Sequence, residues 1–443
     1  MNLMSDFKSN YRKLEEFVSV LVVIFSGFMI VSLFKINNFW TFASLDEMLW
    51  HFRSRIFWDK MAVLDFSGLI QSAQPGITVY WFTGFLMKFI DFDFCDVQRR
   101  ITEAQANGLD FNEVTNANNL ETYRVYETIS FAFNVPLFIL MVIFFISFYY
   151  LLRKLKFNQV ISIFSLFFLS TSICLHYWIT PSDKMLNIFL TLSLLTILVH
   201  LSTRKDKKYL ALSAVFGSLA VLSKLSGLFI VPFLVLLFIY YRWPLNKKKI
   251  IIIIKSLFLW LLIFILISII FLPTIITNPS EVLALFSNSN HIFEQNHNIS
   301  NYTNKVVFNY TKLLSLAVMG YMTQVSFLSF LSFLFLKLNK KYRSVFDTLP
   351  KKHINAIIAY MILFVFMVVV VSKNHEIRFM SPVFVIINII SAIGLYGAVE
   401  VLLSKTKIAE KFKPLFYISI YFIAIIFQTL YIISSGFLIK EIF

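Results

Sequence analysis

The 443-residue chain has few of the residues that soluble proteins place at their surfaces and in their turns. Only 14% of its residues are charged, and it contains 11 glycines and 10 prolines against 52 phenylalanines, with a hydrophobic share of 58%. A soluble core of this length could not bury so much apolar surface, so lipid must solvate most of the chain. Scarce glycine also favours long helices over a loop-rich or barrel fold. The composition predicts an all-α integral membrane protein.

Cysteines and the common catalytic motifs are also scarce. Cys95 and Cys174 provide neither a disulfide framework nor zinc-ligand spacing. They either form a single disulfide with each other or are two unrelated thiols. The chain contains no P-loop, no dinucleotide-binding motif and no Ser-His-Asp set. Its net charge of +16 does not indicate a nucleic-acid partner, because the lysines and arginines lie in short clusters between apolar segments.

Apolar segments recur along the whole chain. A spanning helix needs about 20 apolar residues, and on that measure we expect about eleven spans in a single polytopic domain, residues 1–443. The predicted spans are 17–34, 128–152, 158–175, 184–201, 209–223, 225–241, 250–272, 313–336, 353–372, 379–403 and 414–436. Basic clusters fall in alternate connections, which predicts a cytoplasmic N-terminus and a C-terminus outside. The expected location is a bacterial-type plasma or inner membrane.

Two long connections fall on the predicted outer side. The first covers residues 35–127, far more than a simple connector needs. Its early part predicts an amphipathic interfacial helix, with these apolar residues at helical spacing: Leu45, Met48, Leu49, Phe52 and Ile56. Residues 77–90 are apolar but too short to span, which predicts a second interfacial helix. The second external loop covers residues 273–312.

Asp46 and Glu47 form an acidic pair near the start of the first external loop. Carboxylates at a membrane boundary are energetically costly, so their presence there indicates a function. A carboxyl group near a low-dielectric boundary has a raised pKa and can accept a proton from a hydroxyl group. Neighbouring residues point to different sides of a helix, so we expect only one of the two to be a base. The alternative is a solvated helix start, where acidic residues favour the dipole; the residues alone leave both open.

Other charged residues interrupt apolar surroundings at the predicted outer face. Lys224 lies within the apolar run 209–241, whose halves are each only long enough to cross once, so the chain must turn there. Its ammonium group is suited either to a phosphate or to snorkelling. Asp183 precedes the fourth span, with Lys184 beside it as a possible ion partner. Arg378, in a short hairpin, is either a phosphate ligand or an interface anchor.

A turn completes the pattern: Gln74-Pro75-Gly76 separates the two predicted interfacial helices. The order of these features resembles the polytopic GT-C glycosyltransferases of the family 39 type, relatives of the protein O-mannosyltransferases and the lipid A aminoarabinose transferase. The matching residues are Asp46-Glu47, Gln74-Pro75-Gly76, Arg124 opening the second span, Asp183, Leu222-Ser223-Lys224 with Gly227 and Pro232, and Arg378-Phe379 with Pro382. The resemblance extends from about residue 40 to residue 400. Two features depart from the family: Gln74 stands where it commonly has His, and the large soluble insert of eukaryotic protein mannosyltransferases is missing.

The resemblance implies an inverting transferase that uses a polyprenyl-phosphate monosaccharide and works on the outer face. Asp46 would be the base that activates the acceptor hydroxyl group, supported by Glu47. The implied phosphate-binding residues are Lys224, Arg378 and Arg124, and the implied substrate-binding residues are Arg53, Gln74 and Asp183. Cations placed in advance would stabilise the charge that develops on the departing phosphate. The acceptor would be a glycan, a lipid or a protein. No resident cofactor is implied, and a need for a divalent metal stays open.

Two other functions compete with this one. A transporter or lipid flippase would place ionisable residues near the bilayer midplane on broken helices, whereas nearly all charges here lie at the ends of the predicted spans. An oligosaccharyltransferase or polysaccharide ligase would share the lipid-linked donor but move a whole glycan. The absence of a soluble domain disfavours that function. The expected function is therefore monosaccharide transfer, with transport as the alternative.

Overall fold

The computed structural model describes residues 2–33, 45–67, 69–70, 76–89, 120–172, 175, 181–203, 206–284, 324–367, 381–406 and 410–440. Some side chains within these helices are not described, among them those of Asp46, Glu47 and Arg124. Gln74 and Arg378, both cysteines and most of the second external loop lie outside the described residues.

Regular structure in these residues is helical throughout, which confirms the all-α prediction. The helices are α1 (Asn2–Leu33), α2 (Leu45–Ala62), α3 (Ile77–Phe82), α4 (Leu120–Lys154), α5 (Gln159–Ser170), α6 (Pro181–Thr203), α7 (Lys207–Ser223), α8 (Ile230–Arg242), α9 (Lys247–Phe271), α10 (Thr274–Thr277), α11 (Gln324–Leu338), α12 (Lys351–Phe366), α13 (Ser381–Thr406) and α14 (Lys413–Lys440). Short 3-10 helices cover Gly84–Phe89, Leu225–Phe229, Arg343–Phe346 and Glu410–Phe412.

Every predicted span overlaps one of these helices, but not all are long enough to cross a bilayer. Among the described residues, seven helical segments have the length and composition of a membrane span. This identifies an integral membrane protein of the polytopic type. Helices α5 and α11 have 12 and 15 residues and reach roughly 18 and 22 Å, less than a hydrocarbon core of about 30 Å. The count of eleven therefore stays a prediction.

Helix α6 is the centre of the bundle. In its apolar spanning stretch 94% of the residues are buried, against 11% in the corresponding stretches of α9 and α14. It packs on α4, α7, α8 and α13. Hydroxyl groups join α6 to α7. Ser193 Oγ donates to the carbonyl oxygen of Ser213 at 2.8 Å, and Ser213 Oγ donates to the carbonyl oxygen of Ser193 at 3.0 Å. Such small polar contacts hold helices together where lipid and side chains are equally apolar.

The predicted interfacial segments form a compact unit on the bundle. Helix α2 packs on α3 and on the following 3-10 helix, and Trp58 Nε1 donates to the carbonyl oxygen of Tyr80 at 2.8 Å. Its buried face carries Trp50, Ser54 and Phe57. Of the apolar row predicted for this helix, only the side chain of Ile56 is described, and it is half-buried. Packing on α3 thus selects the buried face.

The basic helix ends meet at one end of the bundle, which we call the basic end. There Arg153 Nε donates to Glu16 at 3.0 Å, Lys413 pairs with Glu400 at 3.5 Å, and Lys352 Nζ donates to the carbonyl oxygen of Tyr241 at 3.3 Å. The first contact joins α4 to α1, the second α14 to α13, and the third α12 to α8. This placement agrees with the alternation of basic clusters in the sequence; which side of the membrane the basic end faces stays a prediction.

Candidate functional site

Gly76, the last residue of the predicted x-Pro-Gly turn, docks directly on the end of α7. Its backbone N–H donates to the carbonyl oxygen of Ser223 at 3.2 Å, and the hydroxyl groups of Thr78 and Ser223 are 2.6 Å apart. Its φ angle is +58°, and a Cβ atom there would lie only 1.9 Å from the Trp50 ring. A glycine is required for both reasons. Gly76 is therefore fixed between α2 and α7.

The chain breaks at Lys224, as its position within the apolar run predicts. Helix α7 ends at Ser223, Lys224 is extended with φ −159° and ψ 139°, and the 3-10 helix Leu225–Phe229 follows. A Cβ atom on Gly227 would lie 2.7 Å from the carbonyl oxygen of Ala220, which explains the glycine of the L-S-K-x-x-G segment. Pro232 lies in the first turn of α8, where its missing N–H leaves no helical bond unmade.

Lys224 and Asp183 form a buried ion pair. The distance from Lys224 Nζ to Asp183 Oδ1 is 2.7 Å, and the two side chains are 6% and 1% exposed. Asp183 lies in the first turn of α6, so the pair joins the break after α7 to the start of the central helix. The sequence offered Lys184 as an ion partner of Asp183; the structure shows that Lys224, 41 residues away, is a partner. We call Gly76, Asp183, Ser223 and Lys224 together the motif junction.

This pair changes the chemistry expected of Lys224. A buried ammonium group would be costly alone, and the carboxylate of Asp183 compensates its charge. One of its three N–H donors is directed at Asp183 Oδ1. Lys224 is thus held in a fixed orientation by a residue that the resemblance assigned to substrate binding. Snorkelling is excluded, since the side chain is 6% exposed.

A second polar contact lies one helical turn from the ion pair. Ser381 Oγ donates to Asn187 Oδ1 at 3.0 Å, and both residues are buried. Asn187 is four residues after Asp183 and faces the same side of α6. Ser381 begins α13 and follows Arg378 by three residues in sequence, so this bond joins the start of α13 to α6. Sequence reasoning missed Asn187. The available signal was a side-chain amide within an apolar segment, four residues after the acidic Asp183.

The acidic pair lies in the first turn of α2. Asp46 is one helical turn before Trp50, whose ring packs on Gly76, and Glu47 is one turn before His51. His51 is 1% exposed and makes an edge contact with the Phe133 ring at 4.1 Å between centroids. Burial lowers the pKa of His51 to about 3, so it is neutral at physiological pH. Positions 46 and 47 are four and three residues before Trp50, so both lie on the face of α2 that carries the ring covering Gly76.

Arg53 lies on the same helix, close to Trp50 and Tyr80. Its guanidinium carbon is 5.6 Å from the centroid of the Trp50 ring. Burial raises the pKa of the Tyr80 hydroxyl group, and the positive charge of Arg53 opposes that shift. The structure thus places the predicted substrate-binding Arg53 beside the ring that covers Gly76.

Metal binding was left open by the sequence. Within the described part of the chain, no three His, Cys, Asp or Glu side chains are grouped as they would be around a metal ion. The side chains of Asp46, Glu47 and Arg124 are not described, and Gln74 and Arg378 lie outside the described residues. Of the eight predicted site residues, the structure brings Asp183 and Lys224 together and places Arg53 near them through Trp50 and Gly76.

Replacement of Gly76 by alanine tests this arrangement. We expect Gly76→Ala to lower the free energy of unfolding by roughly 2–5 kcal/mol, because alanine adds both backbone strain and a collision with Trp50. Thermal unfolding in detergent measures the loss. In a Trp50→Leu background the same substitution should cost less, since the large ring is gone. Wild-type stability of Gly76→Ala would contradict the packing described here.

Comparison with known proteins adds the fold. No family model matches the chain, and no curated protein is significantly similar to it in sequence. One similar solved structure is the archaeal oligosaccharyltransferase AglB from Archaeoglobus fulgidus in complex with an inhibitory peptide and a dolichol-phosphate. Its TM-score is 0.53 at 12% identity, and the alignment covers 96% of this chain and 56% of that one. AglB is a GT-C fold glycosyltransferase. The chain therefore has a GT-C fold.

The likeness at 12% identity concerns the fold alone. An Archaeoglobus fulgidus oligosaccharyltransferase in complex with Zn and sulfate is also similar, with a TM-score of 0.42 at 15% identity, over 67% of this chain and 40% of that one. The chain thus spans about half the length of the AglB chain it resembles. The GT-C fold agrees with the resemblance drawn from the motifs, while the family 39 type stays a prediction.

Proposed function

We propose that this protein is a membrane glycosyltransferase that takes its sugar from a lipid-linked donor. The observation that carries the proposal is the motif junction: segments that are far apart in sequence, at residues 76, 183 and 223–224, meet in a GT-C fold. These are the segments in which the sequence resembles family 39 transferases. A buried ion pair is costly in an apolar bundle, which supports a functional reason for keeping it there.

The proposed reaction inverts the anomeric centre. The acceptor hydroxyl group attacks the anomeric carbon of the donor sugar and loses its proton to Asp46, while the bond from that carbon to the phosphate oxygen breaks. Negative charge collects on the departing lipid phosphate, and cations fixed in advance lower the barrier for this step. Lys224 is proposed for that role, oriented by Asp183, together with Arg378 and Arg124. Arg53 and Gln74 are proposed to contact the sugar or the acceptor, and Glu47 to support the base.

The proposed donor is a polyprenyl-phosphate monosaccharide, as the family 39 resemblance implies. A second candidate is transfer of a whole glycan from a lipid carrier, which is favoured by the likeness to AglB. The acceptor is proposed to be a glycan, a lipid or a protein hydroxyl group. The motif junction lies at the end of the bundle away from the basic end, and we propose that this end faces the outside of a bacterial-type plasma membrane, with the N-terminus in the cytoplasm.

A donor panel tests the proposal with the purified protein. Polyprenyl-phosphate monosaccharides and lipid-linked oligosaccharides are supplied in separate reactions in detergent, and release of the lipid phosphate is measured. We expect turnover with at least one monosaccharide donor. Turnover with oligosaccharide donors alone would favour the second candidate. Folded protein that consumes neither class, yet moves a lipid-linked sugar across proteoliposome membranes, would support the flippase instead.

A further inference from the structure

An open cleft lies at the basic end, far from the motif junction, between the end of α8 and the start of α12. It encloses about 480 Å³ and is lined by Leu236, Ile239, Tyr240, Trp243 and Lys352. Four of these five residues are apolar or aromatic, and none is acidic. Leu236 is 49% exposed and Trp243 is 68% exposed, so the cleft opens to the surface of the molecule.

Lys352 is held over aromatic rings at the end of this cleft. Its Nζ atom lies 5.6 Å from the centroid of the Tyr240 ring and 5.1 Å from that of the Tyr241 ring. It also donates to the carbonyl oxygen of Tyr241 at 3.3 Å. Ring faces carry partial negative charge and stabilise an ammonium group at this range. These contacts place the positive charge of Lys352 at the end of the cleft.

The surroundings of the cleft are positively charged. Tyr241 shares a hydrogen bond with His353, and the charged groups that act on this histidine are the ammonium groups of Lys156 and Lys352. Lys249 lies close by, with Nζ donating to the carbonyl oxygen of Pro244 at 2.7 Å. An occupant with negative charge would therefore complement the cleft.

The position of the cleft in the membrane decides the kind of anion. Helix α8 belongs to one of the seven candidate spans, so its last turn lies near a membrane boundary. Tyr240 and Trp243 are placed there as residues of the interfacial belt, and Leu236 and Ile239 continue the cleft toward the hydrocarbon. A ligand that fills this shape has a phosphate at one end and apolar chains at the other.

We infer that this cleft binds an anionic phospholipid of the surrounding leaflet, with its headgroup phosphate on Lys352 and its upper acyl chain along Leu236 and Ile239. The site is independent of the proposed glycosyl transfer. It takes its lipid from the membrane on the basic side rather than a soluble phosphate, because its walls are apolar and open toward lipid.

Tryptophan quenching by brominated lipids tests the site directly. The full-length protein is placed in vesicles that contain equal fractions of phosphatidylglycerol and phosphatidylcholine, with bromine on one lipid or the other. The Trp243 contribution is the difference between wild type and Trp243→Phe. We expect quenching of this component to favour brominated phosphatidylglycerol about fivefold, the effect of one cation near an anionic surface.

Variants of two adjacent lysines separate this site from the general positive field. Lys352→Gln should abolish the preference, and Lys352→Arg should keep it. Lys351→Gln is the matched control, because Lys351 is exposed, pairs with Asp347 and does not line the cleft. Equal quenching by both lipids in the wild type, or loss of the preference in both glutamine variants, would overturn the inference. So would a Trp243 component that neither lipid quenches.

Discussion

Asp183→Asn is expected to destabilise the protein by about 3–5 kcal/mol, since it removes the carboxylate charge 2.7 Å from the buried ammonium group of Lys224. Lys224→Met should cost a similar amount, because it removes the positive charge 2.7 Å from the buried Asp183 carboxylate. The double variant Asp183→Leu/Lys224→Met removes both charges, and we expect it to recover most of the lost stability. Chemical or thermal unfolding in detergent gives the three values, and the single variant Asp183→Leu, measured beside them, closes a double-mutant cycle.

An exposed pair with the same geometry provides the control. Lys351 and Asp347 are also 2.7 Å apart, but their side chains are 63% and 59% exposed. Water solvates both charges before and after the substitution, so Asp347→Asn should change stability little. A similar cost at both pairs would mean that burial is not the cause.

Activity of the double variant distinguishes a structural pair from a functional one. If Lys224 helps to stabilise the departing phosphate, Asp183→Leu/Lys224→Met will be folded yet will have lost most of its turnover. If the pair only joins α6 to the break after α7, the double variant will recover both its stability and its turnover. The first outcome is the expected one.

Local chemistry made the fold largely predictable from the sequence. The break at Lys224 follows from arithmetic, because an apolar run of 33 residues is too long for one span and is interrupted by a charge. The helical positions follow from apolar runs and the Pro and Gly residues between them. The central place of α6 does not follow from hydropathy. Helix α9 is the more apolar of the two, and it faces outward, since lipid solvates apolar side chains as well as a protein core does.

The contacts within the candidate site were less accessible to sequence reasoning. Asp183 and Lys224 are 41 residues apart. In the sequence, Asp183 has Lys184 beside it as an ion partner, and Lys224 can be explained by snorkelling. Their pairing depends on how α6 and α7 pack, which no local pattern specifies. Trp50 was missed for the same reason: its function is to cover Gly76, a contact across the turn between α2 and α3.

Removal of the proposed base should have the largest effect on activity. We expect Asp46→Asn to lower the rate of sugar transfer by about 10²- to 10⁴-fold, the range that a positioned base contributes. The substitution is close to isosteric, so stability should hold. Release of lipid phosphate from the active donor measures the rate.

Two variants on the same helix make the result specific to Asp46. Glu47→Gln should have a much smaller effect, because the proposed mechanism gives Glu47 only a supporting role beside the base. Asp59→Asn is the matched control, since Asp59 is 59% exposed and pairs with Arg55 at 3.9 Å near the end of α2. Full activity in Asp46→Asn with loss of activity in Glu47→Gln would assign the role of base to Glu47 instead of Asp46.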